Sequence, residues 1–252
     1  MTSADQVGVV EAKPVLACWQ LEPAISMTRA TSGTMNDTFI VTTEQRRVVL
    51  RRHRRRLREQ VDHEHAVIAH ARARQIPAPA AIPTADGSIV VNRDGVFFSL
   101  FEFANGTQLG KDDLTAGHAG AMGRTLALLH RAFEDFPTEP PSSQLRSETL
   151  DAAPAKITSL LEEVESRSDQ TEQDRWAREH LQSKINWLST GPTVDWRPVA
   201  ADRLQMIHGD YQETNLFFDG EEVSAVIDWD KAEMRWPVDE VIRTMVRGAL
   251  RL

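Results

Sequence analysis

The stretch from His208 to Asp228 constrains this chain more tightly than any other part of it. It carries a short β-like island, Asn215-Leu216-Phe217-Phe218, a turn at Asp219-Gly220, and a second apolar run from Val223 to Ile227, inside a half of the sequence that otherwise reads as helix. Polar side chains cluster at its two ends. His208, Gly209 and Asp210 precede the hairpin, Asn215 opens it, and Asp228 closes it in the run Ile227-Asp228-Trp229. A hairpin of this size brings its ends together, so Asp210, Asn215 and Asp228 are expected to converge. Each alone has an ordinary structural use at a turn or strand end. Together they supply oxygen atoms of the kind that hold a hard cation, with one carboxylate left over to accept a proton.

The spacing of His208-Gly209-Asp210 to Asn215 is that of the catalytic loop of kinases, H-R-D followed by four variable residues and Asn, with Gly209 in the Arg place. Asp228 stands where the metal-binding Asp of D-F-G would be. Phosphoryl transfer asks little covalent chemistry of a protein; it asks for an in-line hydroxyl and neutralised phosphate oxygens. On that reading Asp210 is the catalytic residue, orienting the acceptor hydroxyl and taking its proton, while Asn215 and Asp228 are the metal ligands. ATP and Mg2+ are the implied cofactors.

The first hundred residues read as a β-rich lobe with one long helix. Thr38 to Thr42 and Val48-Val49-Leu50, separated by Glu44-Gln45-Arg46, predict a hairpin, and Leu57 to Arg74 a helix with Val61, His65, Ile68 and Ala69 on one face. Strand-like pieces follow at Ser88 to Val91 and Val96 to Phe103, around the turn signal Asn92-Arg93-Asp94-Gly95. Period two puts Val49 and Arg51 on one face of their strand, so Val49 can lie over an adenine and Arg51 can reach phosphates. Glu64 is the candidate ion-pair partner of Arg51, with Glu59 as the alternative. Ser32-Gly33-Thr34-Met35-Asn36 is a poor glycine loop, with a single Gly. Phe101-Glu102-Phe103, just before Asn105-Gly106, is placed where a hinge offers backbone hydrogen bonds to adenine. Beyond it the pattern turns helical, over Leu114 to Phe133, Ile157 to Val164, Trp176 to Leu188 and Val238 to Leu252. The expected domains are a nucleotide-binding lobe, 1–103, and a catalytic and acceptor-binding lobe, 104–252.

From His208 to Asp239 the sequence resembles the aminoglycoside phosphotransferase and choline kinase family, whose members carry H-G-D, Asn five positions after the Asp, and I-D-(W, F or L). The resemblance implies an α+β, protein-kinase-like fold of two lobes: a small β-rich N-terminal lobe with one long helix and a larger, mainly helical C-terminal lobe holding the catalytic hairpin. It implies an ATP-dependent kinase of a hydroxyl on an aminoglycoside-type antibiotic or a metabolite such as choline, homoserine or a sugar. An inactive or truncated nucleotide-binding module is the alternative, because only a short helix follows Asp228 where family members continue through further helices. Asp239, after Trp236-Pro237, corresponds to a family Asp that helps hold the catalytic loop.

Composition narrows the partners. A net charge of -8 argues against a general nucleic-acid binder. The arginine-dense run from Arg46 to Arg58 lacks interleaved aromatics for base stacking and reads as a solvated surface. Acidic residues predominate from Glu134 to Glu179, a region that in the resembled family borders the acceptor cleft; it reads either as a solvated helix face or as a surface that draws in a cationic hydroxylated acceptor. One cysteine, Cys18, rules out an internal disulfide, and no apolar run is long enough for a bilayer; a cytoplasmic protein is expected. The apolar stripe of the last helix predicts self-association, and that helix is expected to dock beside the catalytic loop.

Overall fold

The computed structural model describes residues 13–30, 36–54, 56–137, 145–190 and 204–246. The chain forms two compact units, Met1–Thr138 with Gln205–Leu252, and Glu139–Leu204. The expected lobe division at 103/104 falls inside the first.

In the first unit, strands β1 (Ser26–Arg29), β2 (Asp37–Thr42) and β3 (Arg47–His53) precede helix α1 (Arg58–Ala73), and β4 (Val91–Arg93) and β5 (Val96–Glu102) complete a five-stranded sheet of order β1-β2-β3-β5-β4. All its pairings are antiparallel. Alternation sorts the faces: Val48 and Leu50 of β3 are buried with Phe39, Val41, Phe98 and Leu100, while Val49 and Arg51 point to the other side. The expected strand at Ser88 to Val91 is shifted to Val91–Arg93. Its turn explains the shift: Asp94 and Gly95 both have positive φ, 53° and 79°, the signature of a two-residue hairpin loop that pairs Arg93 directly with Val96.

Helix α1 buries Val61, Glu64, His65, Val67, Ile68 and Ala71, whereas Ala69, expected on that face, is exposed. Its apolar residues join a second core with helix α2 (Ala116–Ala132) and the hairpin region, including Leu126, Leu129, Tyr211, Leu216, Val226 and Trp229. Polar ties cross the same region. Val226 N–H donates to Pro77 at 2.7 Å, and Thr107 pairs with Phe218. Gly106, at φ 104°, is required there, since a Cβ would run into the Phe218 carbonyl and Ser224.

The second unit is a helical pair, α3 (Leu145–Glu165) and α4 (Glu172–Thr190). The turn between them is fixed by Asp174, which accepts from Thr171 and pairs with Arg167 at 2.6 Å. The rest of the chain returns to the first unit. There β6 (Gln205–Ile207) pairs with β9 (Glu233–Arg235), and β7 (Leu216–Asp219) with β8 (Glu222–Val226). Strands β1, β6 and β9, of three or four residues, were not predicted; so short a run shows no periodicity. Helix α5 spans Pro237–Thr244 with Val238 and Ile242 more than half exposed. The end of the predicted helix, 247–252, lies outside the described residues, as do Ser32 to Met35. Among the described residues no helix is long and apolar enough to cross a membrane.

Candidate active site

A cavity of about 480 Å³ opens in the first unit, and Val49, Arg51, Glu64, Phe101, Glu102, Phe103, Asp210, Asn215 and Asp228 all line it. Every sequence-predicted site residue is therefore brought to one place. Glu59 is exposed on the helix surface, and Glu64 is the carboxylate that meets Arg51, at 2.6 Å.

The loop from His208 to Asn215 owes its shape to named bonds. His208 is fully buried, its Nε2 donates to the Ile227 carbonyl at 3.0 Å, and its Nδ1 accepts from the Asp210 N–H at 3.3 Å. Burial lowers its pKa, in keeping with a neutral ring that donates at one nitrogen and accepts at the other. This single ring ties Asp210 to the strand end just before Asp228. Asn215 Nδ2 donates to the Asp210 carbonyl at 2.9 Å, so its own amide oxygen is the atom suited to a cation. Asp228 takes a left-handed backbone, φ 66°, which turns the chain sharply out of β8. Gly209, at φ 81°, packs so closely that a Cβ would strike the Lys231 carbonyl. That contact is the physical reason for Gly where the kinase loop has Arg.

Arg51 bridges Glu64 and Asp228, the latter at 3.1 Å. Burial would depress its pKa, but the charges of Glu64, Asp228 and Asp230 outweigh burial and raise it. Burial lifts the Glu64 pKa, and the guanidiniums of Arg51 and Arg56 counter it. Arg56 grips the second Glu64 oxygen at 2.7 Å and donates to the Asp230 carbonyl. His53 Nδ1 lies 4.0 Å from Glu64, yet its pKa falls to about 2 through burial and the nearby Arg51 charge. Both Glu64 oxygens are already held by arginines, so we read His53 as neutral and the contact as no ion pair.

The structure adds residues that sequence reasoning missed. Arg54 pairs with buried Asp37 through both its Nε and Nη2, and Arg29 and Arg52 reach the same carboxylate. Together with Arg51 and Arg56 on Glu64, Arg52 and Arg54 thus use part of the arginine run in ion pairs with buried carboxylates, while Arg54 itself stays exposed. Asp230 lines the cavity, with Oδ2 accepting from Asn36 at 3.2 Å and Oδ1 buried without a hydrogen-bond partner. Burial and the Asp228 charge raise its pKa. On α5 the loop is held by Glu240, the neighbour of the expected Asp239 and a residue the sequence reading did not single out. Glu240 is 1% exposed and accepts from Gly209 N–H at 2.6 Å, His208 N–H at 3.3 Å and His130 Nε2 at 2.9 Å. Arg243 and Thr244 add bonds to the Gly209 and Tyr211 carbonyls, so the last helix does dock beside the loop.

The model of the phosphotransferase enzyme family matches residues 26–249, nearly all of the chain including this whole site. The chain belongs to that family. A homoserine kinase from Agrobacterium fabrum is 26% identical over 198 residues, a match that takes in 78% of this chain and 56% of that relative. The chain thus spans little more than half the length of such curated relatives. Among solved structures, an amicoumacin kinase determined with AMP-PNP, Ca2+ and amicoumacin aligns with TM-score 0.67 at 15% identity, covering 94% of this chain and 67% of that one. A microcompartment-associated aminopropanol kinase aligns with TM-score 0.63 at 18% identity over 94% of this chain and 74% of its own. These likenesses show the fold: α+β and protein-kinase-like.

Proposed function

We propose that this protein is an ATP-dependent kinase that moves the γ-phosphoryl group of ATP onto a hydroxyl of a small metabolite bearing an amine, of the homoserine or amino-alcohol kind. The observation that carries this reading is the convergence of Asp210, Asn215, Asp228 and the Arg51–Glu64 pair on one cavity. The matching relatives named as homoserine kinases favour a metabolite over an antibiotic as acceptor.

In this reading the adenine lies between Val49 and Ile40 of the sheet and Phe217 and Ile227 of the hairpin, all apolar wall residues. The Glu102 N–H is committed to the Ala80 carbonyl at 2.9 Å, so base recognition at the hinge falls to other backbone groups of Phe101-Glu102-Phe103 and Ala104. Arg51 leads the triphosphate inward. Asn215 and Asp228 are the ligands for Mg2+, which when bound neutralises phosphate oxygens and fixes their orientation. The residues fit such an ion: the donors are oxygens, and the buried Asp230 Oδ1 beside them has no partner. Among the described residues no cage of three or more His, Cys, Asp or Glu forms. Magnesium sites in such enzymes lean instead on one or two carboxylates, substrate phosphates and water.

Asp210 accepts a hydrogen bond from the acceptor hydroxyl and aligns it with the γ-phosphorus. The new O–P bond forms as the bond to the β,γ-bridging oxygen breaks; the hydroxyl proton passes to Asp210 and ADP leaves. ATP turnover against homoserine, amino alcohols, choline, sugars and aminoglycosides tests the reading. Acceptor-dependent ADP release with one metabolite class supports it. Turnover with aminoglycosides alone would move the acceptor to the antibiotic class, and no acceptor-dependent turnover would defeat the reading.

A further inference from the structure

Lys231 is a cation lining the cavity that the catalytic-loop pattern does not single out. Its Nζ lies 2.8 Å from Asp210 Oδ2, with the lysine side chain half exposed and the aspartate nearly buried. The backbone fixes this placement. From the left-handed Asp228 the chain enters a short 3-10 turn, Trp229–Lys231, pinned by buried Trp229, whose Nε1 donates to the Val226 carbonyl at 3.0 Å. The Lys231 carbonyl then packs against Gly209, where no side chain fits, so the lysine is rooted beside the residue that precedes Asp210.

We propose that Lys231 is a catalytic residue, its ammonium spanning the Asp210 carboxylate and the oxygens of the transferring phosphoryl group, an assignment that rests on the phosphotransfer reading above. Distances make the span possible. A hydroxyl bonded to Asp210 sits about 2.6–3.2 Å from its carboxylate, and the phosphorus it attacks sits about 3–3.5 Å further on. An ammonium already 2.8 Å from that carboxylate is within reach of the phosphoryl oxygens. It carries three N–H donors, enough to keep Asp210 and still bind phosphate. Arg51 does not fill this place, because its guanidinium is engaged by Glu64 and Asp228. A half-exposed ion pair adds little to stability, so a lysine there for the fold alone would leave no mark on the kinetics.

The test uses the whole chain with Lys231→Met, Lys231→Arg and Asp210→Asn. For Lys231→Met the proposal expects kcat to fall about 100-fold, as for loss of one preorganised donor to transition-state charge, with acceptor KM within about threefold. Lys231→Arg is expected to recover at least about a tenth of the lost rate, and Tm of either variant to stay within about 3 °C. Calorimetry with ATP and with ADP gives a readout independent of turnover: Lys231→Met is expected to lose affinity for ATP several-fold while keeping that for ADP. Should Asp210→Asn be inactive while Lys231→Met keeps wild-type kcat and the wild-type ATP to ADP ratio, the lysine assignment is wrong and the kinase reading stands. Should the unaltered chain transfer phosphate to no acceptor, the kinase reading fails, and the ATP to ADP ratio alone then supports or overturns the lysine contact.

Discussion

Replacing Glu240 with alanine removes a buried carboxylate that holds the loop from His208 to Asn215. Two buried backbone N–H groups, of His208 and Gly209, and the His130 ring lose their acceptor together. Leaving a buried donor unsatisfied costs about 1–3 kcal/mol each, offset in part because a buried charge is also removed. The net expected loss is about 3 kcal/mol, which for a chain of this size lowers Tm by roughly 6–12 °C. Glu240→Gln keeps the shape and one acceptor oxygen, so its expected loss is about half as large. Thermal and urea unfolding give the stability, and hydrogen exchange at 208–210 gives the local effect. Amides of the loop should exchange faster in Glu240→Ala even under conditions where the rest of the unit stays protected. A Glu240→Ala protein with Tm within about 2 °C of wild type and unchanged loop exchange would refute the anchoring role.

Two further outcomes follow from the same geometry. Asp228→Ala is expected to lose magnesium-dependent ATP affinity more severely than Asn215→Ala, because a charged ligand contributes more to a dication site than an amide; calorimetry with and without magnesium measures both, and equal losses would reverse the ligand roles. Acid should destabilise the sheet through His53 and His65, whose Nε2 atoms lie 3.0 and 2.7 Å from Ser99 Oγ in the core. Burial lowers their pKa values to about 2 and about 4. Above the ordinary imidazole value both states are neutral and nothing is lost; below it the unfolded chain takes protons that the folded pair refuses. Stability should then fall by about 1.4 kcal/mol per pH unit per histidine, roughly 3 kcal/mol in all between pH 7.5 and 5.5. Imidazole NMR signals showing either ring charged at pH 5.5 would contradict this.

The contrast between what the sequence disclosed and what it hid is physical. Asp210, Asn215 and Asp228 were legible because a hairpin of fixed length joins them, so spacing along the chain carries their spacing in the fold. Val49 and Arg51 were legible through strand alternation, and Glu64 as one of two candidate carboxylates on the helix that follows that strand. Glu240 was not, because its partners lie more than 30 residues away and nothing in the local spacing singles out the side chain that points at them. Arg56 looked like part of a solvated basic run for a similar reason: its partners, the Glu64 carboxylate and the Asp230 carbonyl, are brought to it by tertiary packing. Lys231 was hidden by a contact between two backbones, the Gly209 approach to its carbonyl, which leaves only a glycine as its trace in the sequence.

The most direct test of the central claim is single-turnover transfer of labelled γ-phosphate from ATP to the best acceptor, in wild type and Asp210→Asn, beside nucleotide titrations of both. The account predicts that Asp210→Asn binds ATP with nearly wild-type affinity and transfers phosphate slower by about 100- to 10,000-fold, the range expected when a general base is lost. Transfer at a near wild-type rate in Asp210→Asn would contradict it.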